Sequence, residues 1–354
     1  MFIFKKYYYL IVIFVPLLIA LFAKKYLFLS TFSQVVFLSL FVGSCFFSSE
    51  LFNRRVLFFQ FSLLVLVFMG CLYNDSSFIY AFKNAIYILM LPFLYRMVKK
   101  GFSLNLKFVC WLNFLAIAWY IIDPSSYITD SLGGSARMVG FGINPNVWGC
   151  LSILFASAIF SIKNKKFEDW VSLSGFLLSA FFSGSTTAML VLPLVFSRSF
   201  KYVIVYVLML VLGGGYLFLM FENISLFVPS LFARFELWKI AAESISLHTY
   251  IIGNGYDYFG AGISTVDSST VRIVDSFFVS SFVSGGVFTL LLICWFYFYI
   301  PAHYAAKNND LTLLVFVSIF FICNFMGNFL ENGFPINLVY VVLIFQRLVN
   351  DKRK

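Results

Sequence analysis

WVSLSGFLLSAFFSGSTTAMLVLPLVFSRS, residues 170–199, decides the fold of this chain. The run is apolar on both sides of Ser183-Gly184-Ser185-Thr186-Thr187, so it forms either one over-long membrane span or two short helices joined at a polar break. Charge chooses between them. Counting apolar runs from the N-terminus puts Lys5, Lys6, Arg54, Arg55, Arg96, Lys99, Lys100, Lys107, Lys163, Lys165 and Lys166 on one side of a membrane. Two helices keep Arg198, Lys201, Lys307, Arg347 and the tail Lys352-Arg353-Lys354 on that same side, and a single span moves all of them across. Lys and Arg gather in cytoplasmic loops, so the hairpin is preferred and both termini are expected in the cytoplasm. Its arms are too short to cross about 30 Å of hydrocarbon comfortably. The Ser/Gly/Thr break is therefore expected below the membrane surface, its backbone facing protein or a water-filled cavity.

The rest of the chain agrees. Of its 354 residues 62% are apolar and 11% charged, against about 45–50% and about 25% in a soluble domain. Lipid must therefore be its solvent. Candidate spans fall near residues 7–23, 26–47, 56–73, 78–98, 104–122, 146–162, 170–183, 185–199, 202–220, 276–300, 311–330 and 334–349. The fold class expected is all-α: a polytopic integral membrane protein of about twelve transmembrane helices, a single membrane domain over residues 1–354 with a large periplasmic loop that contains an amphipathic helix. Continuous apolar runs exclude a closed barrel, whose strands alternate over about ten residues. The net charge of +10 is a topology signal and implies no nucleic-acid partner. The first span lacks a small-residue cleavage site and is read as a retained helix. All six Cys (Cys45, Cys71, Cys110, Cys150, Cys294 and Cys323) fall inside spans, where packing is the expected role and pairing is not. No internal repeat or inverted half-and-half symmetry is visible.

Short cytoplasmic loops without a glycine-rich phosphate loop or paired carboxylates argue against a machine driven by ATP or a nucleotide sugar. Two His in separate compartments and no acid cluster make a protein-built metal site unexpected, and no cofactor is implied. The chemistry is left to two outer loops, residues 123–145 and 221–275. Within the longer one Pro229-Ser230 starts a helix on which Leu231, Phe235, Trp238, Ala242 and Ile245 make one apolar stripe, with Glu236, Lys239 and Glu243 opposite. Arg234 lies about 40° from Trp238 at 100° per residue, on the edge of the apolar stripe. An arginine there snorkels to the interface, pairs with Asp123 or Asp130, or holds an anion. The shorter loop carries Arg137 among glycines ahead of Asn144-Pro145-Asn146, a turn able to open a helix with its amides facing outward. Arginine beside a helix N-terminus suits a diphosphate, although a plain turn with a surface arginine reads the same way. His248, after the loop helix, suits a C-terminal cap better than catalysis. Glu222, Arg272 and Glu331 lie near the outer surface, where screened charge competes with contact to sugars.

The order Arg137-x-x-Gly140, Asn144-Pro145-Asn146-x-x-Gly149, Ser183-Gly184-Ser185-Thr186-Thr187-Ala188, Arg234-x-x-x-Trp238, Ile252-Gly253-Asn254-Gly255, Asp275-Ser276 and Ser284-Gly285-Gly286 resembles bacterial O-antigen polymerases of the Wzy type and the related O-antigen ligases. The resemblance covers roughly residues 130–290. It implies a glycosyltransferase of the bacterial inner membrane, acting at the periplasmic face and needing neither metal nor nucleotide. A glycan on undecaprenyl diphosphate is passed to another lipid-linked repeat unit, in contact with membrane lipid and with a chain-length regulator as a further partner. Arg137 and Arg234 would then hold the diphosphate, and Asp275 would be the base for the acceptor hydroxyl unless it only caps a helix with Ser276 in its first turn. Substrate contacts would come from Arg137, Arg234, Asn144, Asn146, Arg272, Glu222 and His248. Many relatives have Ser-Arg at the hairpin break where this chain has Ser185-Thr186. Ligases place a His where Asp275 stands, which favours polymerase over ligase. A lipid-linked oligosaccharide flippase is the competitor of another class, opposed by the missing repeat halves and the polar outer loop.

Overall fold

The computed structural model of the chain describes residues 106–122, 127–129, 136–138, 145–219, 229–243, 245–253, 276–327 and 334–350, with isolated helical positions between 58 and 72 and between 95 and 99. In chain order the elements are α1 (Leu106–Ile122), β1 (Tyr127–Thr129), β2 (Ala136–Met138), α2 (Pro145–Phe160), α3 (Phe167–Phe182), α4 (Thr186–Val195), α5 (Phe200–Leu219), α6 (Pro229–Glu243), α7 (Leu247–Ile252), α8 (Phe277–Ile293), a π-helical segment (Cys294–Tyr299), α9 (Ile300–Lys307), α10 (Leu311–Met326) and α11 (Phe334–Asn350). The described residues are thus mostly helical, and the expected helices from 104 onward each have a counterpart. The spans expected before residue 56 lie outside the described residues.

The chain divides into two units, Met1–Asn53 with Met90–Phe196 and Gly333–Lys354, and Arg54–Leu89 with Ser197–Asn332. In the first, α2 is the centre. It opens with Pro145, whose missing N–H costs nothing at the first helical position, and it packs against α3, α4 and α11. Its side chains from Val147 to Ile159 are all buried, and Phe155 stacks on Phe176 of α3 at 5.1 Å between ring centres. The start of α3 is fixed by Asp169, whose carboxylate accepts the Lys166 backbone N–H at 2.7 Å. Glu168 and Asp169 also oppose the positive end of that helix. α3 stops at Ser183, the chain reverses through Gly184 at φ +57°, and α4 restarts with Ser185 as its N-cap, accepting from Ala188 N–H at 3.3 Å. Ser183, Ser185 and Thr187 of the break are at 1% exposure or less, while Gly184 and Thr186 between them are exposed. α4 has 10 residues, about 15 Å of helix.

Within residues 123–145 lies a two-stranded antiparallel ribbon pairing Tyr127 with Met138, Ile128 with Arg137 and Thr129 with Ala136. Met138 is 1% exposed, so the ribbon is seated on its unit and not free in solvent.

In the second unit α8, the π-helical segment and α9 run together as Phe277–Lys307, a helix of 31 residues. Among the described residues it is long and apolar enough to cross a membrane by length and composition, and the other apolar helical stretches run 10–17 residues. Where the ladder slips to π geometry, Phe59 stacks flat on Phe296 at 4.0 Å and meets Tyr297 edge-on. α6 buries Phe235, Trp238 and Ala241 against Val283 of α8, while Glu236, Lys239 and Glu243 are exposed. The stripe therefore passes through Ala241 and leaves Ala242, its expected member, exposed. Trp238 meets Phe325 of α10 at 5.4 Å.

Candidate functional site

Three of the sequence motifs meet at one place in the first unit. Arg137, on β2, donates through Nε to the Ser183 carbonyl at 2.9 Å and through Nη2 to Asn146 Oδ1 at 2.8 Å. Asn146 stands in the first turn of α2, so the guanidinium is held at a helix N-terminus. Two donors in a rigid fork, each with its own acceptor, fix the plane of the group as a flexible ammonium could not be fixed. Both of these acceptors are neutral groups that orient the guanidinium. Glycine makes the approach possible. A Cβ on Gly184 would come to 3.2 Å from Arg137 Nε. One on Gly149 would strike Ser183 Oγ and lie 2.9 Å from the Cβ atoms of Ser185 and Ala188, so the bare backbone of α2 lies directly against the side chains of the hairpin break. Arg137, Asn146-x-x-Gly149 and Ser183-Gly184-Ser185 are in this way one assembly, half-exposed at the arginine and closed beneath it. A cation beside a helix N-terminus attracts a phosphate or diphosphate.

Asn146, expected as a substrate contact, accepts from Arg137 through its side-chain oxygen and so orients the guanidinium. Beneath the assembly lies a polar pair the sequence analysis passed over. Ser179 Oγ donates to Asn113 Oδ1 at 2.6 Å with both side chains buried. The signal was an asparagine inside an apolar span, a place where a polar side chain needs a partner.

A second junction forms in the other unit. Gly253 ends α7 at φ +76°, and a Cβ there would fall on the Ser284 carbonyl. Gly286 sits at φ +73° within α8, kinking it, and a Cβ there would fall on the Ile251 carbonyl. Ile252-Gly253 and Ser284-Gly285-Gly286, far apart in sequence, are thus pressed backbone to backbone. α7 itself begins with Ser246 as N-cap, so by its backbone His248 is the second residue of a new helix. The N-cap of α8 is Ser276; Asp275 is one residue outside that position, and the reading in which Asp275 caps with Ser276 in the first turn is corrected by one residue. Ser276 is fully buried and its Oγ has no hydrogen-bond partner among the described residues.

Asp275, Asn144, Arg272, Glu222 and Glu331 lie outside the described residues. Arg234 is in α6 by its backbone, one turn before Trp238, and its side chain is outside them too. Cys110, Cys150, Cys294 and Cys323 are free thiols. Among the described residues no three His, Cys, Asp or Glu side chains gather as metal ligands. No family model matches the chain, and no curated protein matches it.

Proposed function

We propose that this chain is an O-antigen polymerase of the Wzy type: a membrane enzyme of about twelve spans that transfers a glycan from undecaprenyl diphosphate to a lipid-linked repeat unit at the periplasmic face of the bacterial inner membrane. One observation carries the proposal. Three weak motifs, taken from stretches up to 46 residues apart, converge on the Arg137 guanidinium at the N-terminus of α2, which is the arrangement a diphosphate leaving group needs.

In this reaction the acceptor hydroxyl oxygen bonds to the anomeric carbon of the donor. The bond from that carbon to the phosphate oxygen breaks, and undecaprenyl diphosphate leaves with the electron pair. Charge grows on the leaving oxygen, and Arg137, already oriented, stabilises it without reorganising. Arg234 is the second proposed cation for the diphosphate. Asp275 is the proposed base that takes the hydroxyl proton, and Glu222, Arg272 and His248 are proposed sugar contacts. Energy comes from the diphosphate ester, so neither nucleotide nor metal is needed. Ligase and flippase are the other readings, and neither has an observation of its own in its favour.

The gel pattern of lipopolysaccharide from a deletion strain separates the three. Loss of a polymerase leaves single units able to reach the lipid A core, so core and core with one unit are expected, without a ladder. A bare core band would overturn the proposal, because only loss of the flippase or the ligase keeps every unit off the core.

A further inference from the structure

The polar pair beneath the assembly crosses from α1 to α3. Asn113 and Ser179 are at 1% exposure or less, and Ser179 Oγ donates to Asn113 Oδ1 at 2.6 Å. The amide is confined: a Cβ on Gly175, one turn earlier in α3, would come to 3.3 Å from Asn113 Nδ2 and 3.0 Å from Phe114 Cζ. As a device for stability the pair is poor. Asn113 Nδ2 has no hydrogen-bond partner among the described residues, and a buried donor left alone subtracts more than one neutral hydrogen bond adds. A leucine at 113 facing an alanine at 179 would fill the same layer with nothing to satisfy. What an apolar pair lacks is direction. The ring contact between these helices, Tyr120 stacked on Phe182 at 5.5 Å between centres, lets them roll against each other. A hydrogen bond, which weakens steeply away from its axis, does not.

Ser179 is also where the assembly begins. Its carbonyl accepts from the Ser183 N–H at 3.0 Å, so the two residues stand one helical turn apart on nearly the same side of α3. The Ser183 carbonyl in turn accepts from Arg137 Nε at 2.9 Å. We propose that Asn113 is a positioning residue for Arg137: by holding Ser179 it fixes the rotation of α3 about its axis, and with it the carbonyl that sets the plane of the guanidinium. Backbone atoms lie about 2.3 Å from a helix axis, so a roll of roughly 10° displaces the Ser183 carbonyl by about 0.4 Å. A misplacement of about 1 Å can cost about a hundredfold in rate, so a displacement of that size is worth roughly three- to tenfold. The effect on turnover rests on the proposed polymerase reading, whereas the placement of Arg137 does not.

The full chain is compared with Ser179→Ala and with the double variant Asn113→Leu/Ser179→Ala. Thermal unfolding is followed in mild detergent. In the same detergent, p-hydroxyphenylglyoxal modifies arginines, and peptide mass spectrometry gives the rate at Arg137 against the exposed Arg198 as reference. Chain growth on undecaprenyl-diphosphate-linked units in vesicles gives kcat and KM. Ser179→Ala leaves both ends of the Asn113 amide unpaired and should unfold earlier than the wild type. The double variant removes the orphaned groups and should recover most of that loss. It should not recover the arginine: modification of Arg137 is expected to rise several-fold while that of Arg198 is unchanged, and kcat to fall roughly three- to tenfold with KM within about twofold. Unchanged Arg137 reactivity in the double variant would overturn the proposal whatever the turnover, and so would wild-type turnover restored along with stability. If the double variant does not accumulate, Ser179→Cys, close in size and a weaker donor, carries the same readings and the same refutation. A wild type that grows no chain, with Arg137 reactivity still raised in the variant, would refute the polymerase reading while upholding the positioning of Arg137.

Discussion

Gly184→Ala tests whether the hairpin break and the arginine are one device. Gly184 has φ +57°, a region that costs an alanine about 1–2 kcal/mol. The alanine returns about 0.4–1 kcal/mol by restricting the unfolded chain. A net destabilisation of about 1 kcal/mol is therefore expected, small enough for the protein to accumulate. The new methyl would also stand 3.2 Å from Arg137 Nε and 3.4 Å from its Cγ, so the side chain must retreat by a few tenths of an ångström. That movement stretches the 2.9 Å bond to the Ser183 carbonyl and turns the guanidinium away from its acceptor. Since a misplacement of about 1 Å can cost about a hundredfold in rate, a shift of this size should lower turnover roughly three- to tenfold. Chain growth on undecaprenyl-diphosphate-linked units, in vesicles holding matched amounts of protein, is the assay, with thermal unfolding in detergent alongside. Unchanged unfolding would refute the positive φ. Lowered unfolding with full turnover would refute the coupling of the break to Arg137.

Asn146→Ala removes the acceptor of Arg137 Nη2 and should reduce turnover while leaving protein level intact; Asn146→Asp, which restores an acceptor but neutralises the cation, should reduce it further, and the reverse order would exclude an anion at Arg137. Asp275→Asn should abolish chain growth with normal accumulation, because the amide keeps an oxygen able to cap a helix and loses the proton acceptor; retained activity would assign the base to Glu222 or His248. Cysteines placed at Ser135 and Asp257 should react with an impermeant maleimide from the periplasm, and those at Asn164 and Asn308 only after the inner membrane is opened; a cytoplasmic Asp257 would refute the proposed function.

What the sequence announces is whatever is decided locally. The break between α3 and α4 was legible because Ser183-Gly184-Ser185 interrupts an apolar run with turn-forming residues. α6 was legible from Pro229 and the spacing of Phe235 and Trp238. The errors arise where a distant segment decides. The bond from Arg137 to Asn146 is invisible until the two are placed together, and Ser183 offers Arg137 a carbonyl, which no side-chain pattern encodes. Ala241 is buried in place of Ala242 because the face of α6 is chosen by its packing on α8, not by its own periodicity. The shift from Asp275 to Ser276 as the cap of α8 is one residue, within the resolution of any cap motif, yet it changes which experiment separates capping from catalysis. The β1–β2 ribbon is three residues per strand, too short for alternation to register.

The contact between Gly253 and Gly286 also orders events during synthesis. α7 has six residues, far fewer than an isolated helix needs to persist in water, and the backbone it rests on is translated about thirty residues later. While the ribosome is still making that stretch, α7 has nothing to rest on. The segment therefore matures late, after the helix beginning at Phe277 is in place.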